Sequence, residues 1–128
     1  MVQFNKNFKY DLEFGEINEK KVADIFEGKR CEVKTERGIW DRTGNIAIEI
    51  ECRGKKTGLS TTETDYWIHV LEKDGKQCGM VVFEVGHLKR IVDKMYAQKE
   101  AMMTMGGDDN LSKMVLIPLD KIFKFATV

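Results

Sequence analysis

The chain has no excess of either charge: lysine plus arginine and aspartate plus glutamate both number 21 in 128 residues. Proteins that only hold nucleic acid often carry a basic surplus, so the balance weighs slightly against a pure binding protein. It leaves room for a site in which bound cations supply positive charge that no side chain records. Cysteine is sparse, with Cys31, Cys52 and Cys78 widely spaced and no CxxC pair. Reduced thiols in a cytoplasmic protein fit this pattern better than a disulfide frame or a zinc site. No apolar run approaches the roughly 18 residues that cross a bilayer, so no membrane partner is expected. The first residues lack the apolar stretch of a secretory signal. Neither a repeat nor a linker is visible, and hydrophobic residues make up 42% and charged residues 33%. Residues 1–128 are therefore expected to form one globular domain.

Apolar periodicity predicts helices over 15–26, with Ile17, Val22, Ile25 and Phe26 on one face before a stop at Gly28, and over 85–97, with Leu88, Ile91, Val92 and Met95 inward. CEVKTE reads as a short strand, and residues 1–14 as an arm or a first strand. Two hairpins are expected. One joins 38–41 to 46–53 through Arg42-Thr43-Gly44-Asn45, and the other joins 66–72 to 77–84 through Asp74-Gly75. The stretch 54–64 reads as a loop with a short turn capped by Ser60, and 98–112 as a mobile loop. A strand over 114–117 and a short helix opened by Pro118 close the chain. This order implies an α/β (α+β) fold with a mixed sheet of about five strands flanked by helices.

The chemistry-bearing segment is GIWDRTGNIAIEIECR. Strand alternation puts Ile46, Ile48 and Ile50 on one face and Ala47, Glu49 and Glu51 on the other. A hairpin would bring Asp41 beside Glu49 and Glu51. Crowded carboxylates repel one another, and a hard divalent cation relieves that repulsion. Mg²⁺, or Mn²⁺ in its place, takes one or two carboxylates plus waters and phosphate oxygens, which suits phosphoryl transfer. A solvated strand face would also carry glutamates.

Glu19 on an early helix, then Asp41, then Glu49-Ile50-Glu51 on a strand resembles the PD-(D/E)XK nuclease superfamily, which includes restriction enzymes, Holliday-junction resolvases and mismatch-repair nickases. DRTGNIAIEIECRGKKTGLSTTETDYW is also similar to small phage-type proteins with a TGN…E-x-E…GK…SG…T…ADYW pattern. The likeness spans residues 15–85 and implies a restriction-endonuclease-like fold. By this resemblance Asp41, Glu49 and Glu19 are the metal-binding acids. Glu51 stands where the family has lysine. Either Glu51 orients the attacking water, or Lys55 or Lys56 reaches back to the scissile phosphate. Arg53, Lys55, Lys56, Ser60, Thr61 and Thr62 are the expected contacts to the DNA backbone. The resemblance implies a Mg²⁺-dependent DNA endonuclease, acting on structured or branched DNA and working as a homodimer. The alternative is a catalytically inactive module of the same fold that binds DNA or protein in a phage-type complex.

The remaining candidates read as structural. His69 is expected to be a hydrogen-bonded strand histidine and His87 a helix-start cap. Trp40 and Trp67 are expected in the core rather than stacked on bases. Gly106-Gly107 lacks the lysine and hydroxyl residue of a phosphate-binding loop.

Overall fold

The computed structural model describes residues 8–107 and 109–127, and the chain divides into two compact units, Met1–Arg30 and Cys31–Val128. Among its described residues the first unit holds one helix, α1 (Phe8–Phe26), that starts a full two turns earlier than the periodicity suggests. Leu12, Phe14, Ile17, Val22 and Phe26 along it are exposed, and the chain leaves helical geometry before Gly28, whose φ is +79°. Residues 1–7 of the expected arm lie outside the described residues. No helix among the described residues is long and apolar enough to cross a membrane.

The second unit is α+β, as expected, but its strands form two sheets rather than one. Among the described residues its elements run β1 (Cys31–Arg37), α2 (Ile39–Thr43), β2 (Asn45–Cys52), β3 (Lys55–Lys56), a 3-10 turn (Gly58–Ser60), β4 (Tyr66–Lys73), β5 (Lys76–Glu84), α3 (Val85–Ala97), β6 (Met102–Gly106), β7 (Ser112–Pro118) and α4 (Leu119–Ile122). One sheet has the order β1-β4-β5 and the other β3-β2-β7-β6. The first is mixed, because β1 runs parallel to β4 while β5 runs antiparallel. The second is antiparallel throughout. Ile46 and Ile48 of β2, Val115 and Ile117 of β7, Trp67 and Phe83 of the mixed sheet, and Leu88, Ile91, Val92 and Met95 of α3 make one core. Apolar alternation on the strands and 3.6-residue spacing on α3 account for these choices.

Several expectations meet the structure directly. The β4–β5 hairpin closes on Asp74 and Gly75, both at positive φ, as a tight turn compatible with strand twist requires. The helix at 85–97 has the expected bounds and buries the expected face. Pro118 precedes α4.

Three expectations are corrected. Residues 98–112 contain β6, which pairs with β7 over Met102–Gly106; apolar methionines at 102, 103 and 105 could not declare a strand without β7 beside them. Ser60 ends the 3-10 turn instead of capping it, and Thr57 holds the cap position. The hairpin expected around residues 42–45 does not form. Ile39–Thr43 is helical, and Gly44, at φ +76°, is its left-handed C-terminal cap with its N–H on the Trp40 carbonyl. Glycine serves a helix end and a hairpin turn equally well, since both need positive φ. The true hairpin from β2 is two-residue Arg53-Gly54, leading into β3.

Gly58 holds the 3-10 turn against β2. Its φ is +55°, and a Cβ there would overlap the Glu49 carbonyl group. By contrast, Gly75 at φ +77° faces open space. Gly75→Ala should therefore cost only the left-handed backbone penalty of about 1–2 kcal/mol, whereas Gly58→Ala should cost that plus displacement of the turn, roughly 3 kcal/mol or more. Urea unfolding of both variants measures the difference; equal midpoints would show that the close approach at Gly58 carries no weight.

Candidate functional site

The site is best built outward from β2, because one of its edges is only partly paired. β7 runs along one side for its full length, but on the other side β3 meets only Glu51 and Cys52. Buried backbone groups must find partners, and two devices supply them. Glu36 of β1 reaches across, and its Oε1 accepts the Ala47 N–H at 2.9 Å. Farther along, Thr57 donates its N–H to the Ile50 carbonyl at 3.1 Å.

Ile50 is also where the ladder slips. Glu49 lies opposite Met114, yet Glu51 lies opposite Lys113, so two steps on β2 match one on β7. This is a β-bulge, and it reverses the alternation beyond it. Met114 and Lys113 are successive strand residues and point to opposite faces. Glu49 and Glu51 therefore do not share a face, which corrects the parity read from the sequence. A bulge is set by tertiary contacts and leaves no mark in the alternation itself.

Glu49 is half-buried, and Ser112 Oγ donates to its Oε1 at 2.7 Å. Ser112 is paired with Cys52, and Cys52 with Lys55. Directly opposed residues share a face, so Lys55 stands on the Glu49 side of the sheet. There Cys52, Arg53, Asp109, Leu111 and Ser112 line a hollow of about 190 Å³. Glu51 is flanked by lysines on both neighbouring strands, Lys56 and Lys113, and Lys56 belongs to a second cleft with Ser60. Thr61 is exposed beside it, while the Thr62 hydroxyl is spent on Thr64 at 2.8 Å.

Asp41 is placed elsewhere. It sits on α2, where the Trp40 indole and the Gly38 N–H both donate to the Glu72 carbonyl, at 2.8 and 2.7 Å. These bonds dock α2 at the end of β4, and Asp41 Oδ2 meets Lys73 Nζ at 2.6 Å. The hydrogen bond and Coulombic attraction from Asp41 hold the Lys73 pKa above the ordinary lysine value. Stability from that pair is present below the ordinary lysine pKa and is lost as pH rises through the raised one. Glu49 is four residue steps from Asn45, roughly 13 Å of β2, and Asp41 lies beyond the Asn45 end. Asp41 is thus not brought to Glu49. Glu19 is exposed on α1 in the first unit. Among the described residues no group of three or more histidine, cysteine, aspartate or glutamate side chains is arranged to hold a metal ion.

The residue that the sequence reading missed is Glu36. Along β1 the half-buried positions are Cys31, Glu32, Lys34 and Glu36, while Val33 and Thr35 face outward. Charged groups turned toward a core cost desolvation unless they are paired. Here each has a partner. Glu32 and Lys34 pair at 2.9 Å, Lys34 Nζ stands 5.8 Å over the Trp67 ring, and Glu36 Oε1 lies 3.1 Å from His69 Nδ1. His69 is fully buried, and its Nε2 accepts the Trp67 indole N–H at 2.7 Å. Accepting at Nε2 places the neutral ring's proton on Nδ1, which lies close to Glu36 without hydrogen-bond geometry. His69 is therefore the hydrogen-bonded strand histidine expected from the sequence, and Trp67 is core. The clue to Glu36 was available: three charged residues alternate with Val33 in a strand whose only clear apolar side chain faces the wrong way.

Removing the indole donor would leave His69 Nε2 buried and unpaired. Trp67→Phe should destabilise the fold by about 2–4 kcal/mol, whereas adding His69→Leu should recover part of that loss. Denaturant titration of the single and double variants checks this; purely additive losses would count against the bond. No family model, curated protein or solved structure matches the chain.

Proposed function

We propose that this protein is a divalent-metal-dependent nuclease that hydrolyses phosphodiester bonds of DNA, with Glu36 and Glu49, in place of Asp41 and Glu49, as its two acids. The observation that supports this reading is the contact of Glu36 with β2 at Ala47. Glu49 follows two residues later on the same strand face, about 7 Å along the backbone.

Each carboxylate is held through one oxygen, Oε1, by the Ala47 N–H for Glu36 and by the Ser112 hydroxyl for Glu49. The Oε2 atom of each carries no hydrogen bond from a described residue. Two oriented carboxylates, each with a free oxygen, match the donor set that Mg²⁺ or Mn²⁺ takes beside waters and phosphate oxygens. Such an ion would polarise the phosphate and lower the pKa of a bound water. Ser112 and the Ala47 N–H fix the carboxylates in advance, as preorganised sites require. Lys55, on the Glu49 face, offsets negative charge that develops on the phosphate. Arg53, beside the same hollow, binds a neighbouring phosphate. In the overall step a water oxygen bonds to phosphorus and one P–O ester bond breaks. The water's proton passes to solvent or a carboxylate, and the leaving sugar oxygen takes a proton from solvent.

The alternative, an inactive binding module, is favoured by the cleft around Lys56 and Ser60, which needs no metal to hold a polyanion. Cleavage separates the two. Supercoiled, linear, single-stranded and branched DNA should be cut in Mg²⁺ or Mn²⁺ and spared in EDTA. Glu36→Gln and Glu49→Gln should each lose more than about 100-fold, since even outer-shell partners of metal ligands are worth 10–100-fold. Asp41→Asn should stay within a few-fold of wild type. A wild-type protein inert with every metal, or Gln variants that cut as well as wild type, would overturn the catalytic reading.

A further inference from the structure

A second cleft lies between the 3-10 turn and α3, on the core-facing side of the antiparallel sheet, where Ile50 packs beside Ile46 and Ile48. Its volume is about 250 Å³, below the roughly 300–1,000 Å³ of pockets for drug-sized ligands. Ile50, Leu59 and Val92 form its apolar part, with Leu59 and Val92 buried. Lys56 and Lys89 line it with Ser60, and Asp93 joins them from α3 one turn after Lys89.

This mixture selects its occupant. Two ammonium groups and a hydroxyl recognise a phosphate, but Asp93 cancels one of the charges and would repel a bare phosphate brought near it. An ionised carboxylate can only accept hydrogen bonds, so Asp93 favours a ligand that carries N–H donors as well. An aliphatic wall has no use for a phosphate; it suits the face of a planar, weakly hydrated ring. A nucleotide offers all three features, with its anionic phosphate, flat base and exocyclic amino group. A base pair is too large for the cleft, and in a duplex the donor edges are already used in pairing.

We propose that this cleft takes a single unpaired nucleotide of a nucleic-acid strand, with the phosphate on Lys56 and Lys89, the base against Ile50 over the buried Leu59 and Val92, and a base amino group on Asp93. The proposal rests on the nucleic-acid part of the function above and not on its hydrolytic part. It makes the preferred substrate single-stranded or locally unpaired, because a strand can place a base in the cleft only where that base is free.

The test is fluorescence anisotropy in EDTA, so that binding is read without cutting, using the whole chain and labelled 12-mers. The probes are single strands of dA, dC or dT, an abasic strand of equal charge, and a blunt duplex. Single strands should bind about 10-fold tighter than duplex, and the abasic strand about 5–10-fold weaker than dC, in line with what base contacts contribute to such sites. Lys89→Ala and Lys56→Ala should weaken every probe and flatten the salt dependence. Asp93→Asn should erase the preference for dA and dC over dT while leaving or improving overall affinity. Circular dichroism confirms that each variant is folded. Equal binding of abasic and base-containing strands, equal binding of duplex and single strand, or no binding of any probe would each overturn the proposal. A protein that binds as described but never cuts refutes the hydrolytic reading alone; one that cuts while Lys89→Ala and Asp93→Asn behave as wild type refutes the cleft alone.

Discussion

The carboxylate of Glu36 on the open edge of β2 is the contact on which the second unit's arrangement turns. A strand with one unpaired edge in a protein interior is costly, because each buried N–H left without a partner forfeits a hydrogen bond and its solvation. β2 solves this with a side chain at Ala47 and with the 3-10 turn at Ile50. The acid that closes the edge lies 3.1 Å from Nδ1 of the buried His69, whose Nε2 accepts the Trp67 indole N–H. One short chain of polar contacts thus links a strand of the mixed sheet to a strand of the antiparallel sheet. Around it the shared core excludes water and keeps each partner in its place.

The bulge at Ile50 then divides the chemistry of β2 between two faces. Without it, Glu49 and Glu51 would point together, and Lys55 and Lys56 would sit differently against them. With it, Glu49, Ser112 and Lys55 fall on one side, and Ile50 and Lys56 on the side of α3. The slip turns Glu51 and Lys56 to the α3 side, where Ile50 packs on the core, and leaves Glu49 with Ser112 and Lys55 on the other. Gly58 is the residue that permits this, since no side chain fits between the turn and the Glu49 carbonyl.

Much of the fold could be read from the residues, where local and tertiary preferences agree. Asp74-Gly75 between alternating strands, and the apolar stripe of 85–97, have one sensible structure each. The readings that failed did so where one residue type serves two purposes or where the deciding partner is distant in sequence. Gly44 ends a helix as readily as it turns a hairpin, so Asp41 was assigned to a strand it does not occupy. β6 is short and its exposed methionines carry no alternation, so only β7 defines it. Of the candidate acids, Glu49 stands on the strand expected for it, β2. Glu36 was hidden because its strand shows almost no apolar pattern, and its importance comes from contacts 11 and 33 residues away, at Ala47 and His69.

The account places a divalent cation between the Glu36 and Glu49 carboxylates, and paramagnetic Mn²⁺ reports its position without any need for turnover. In a ¹⁵N-labelled sample, substoichiometric Mn²⁺ should broaden the amide signals of Ala47, Glu49 and Ser112 first and leave those of Arg42 and Lys73 sharp. Broadening centred on Asp41 and Lys73, or none at millimolar Mn²⁺, would contradict it.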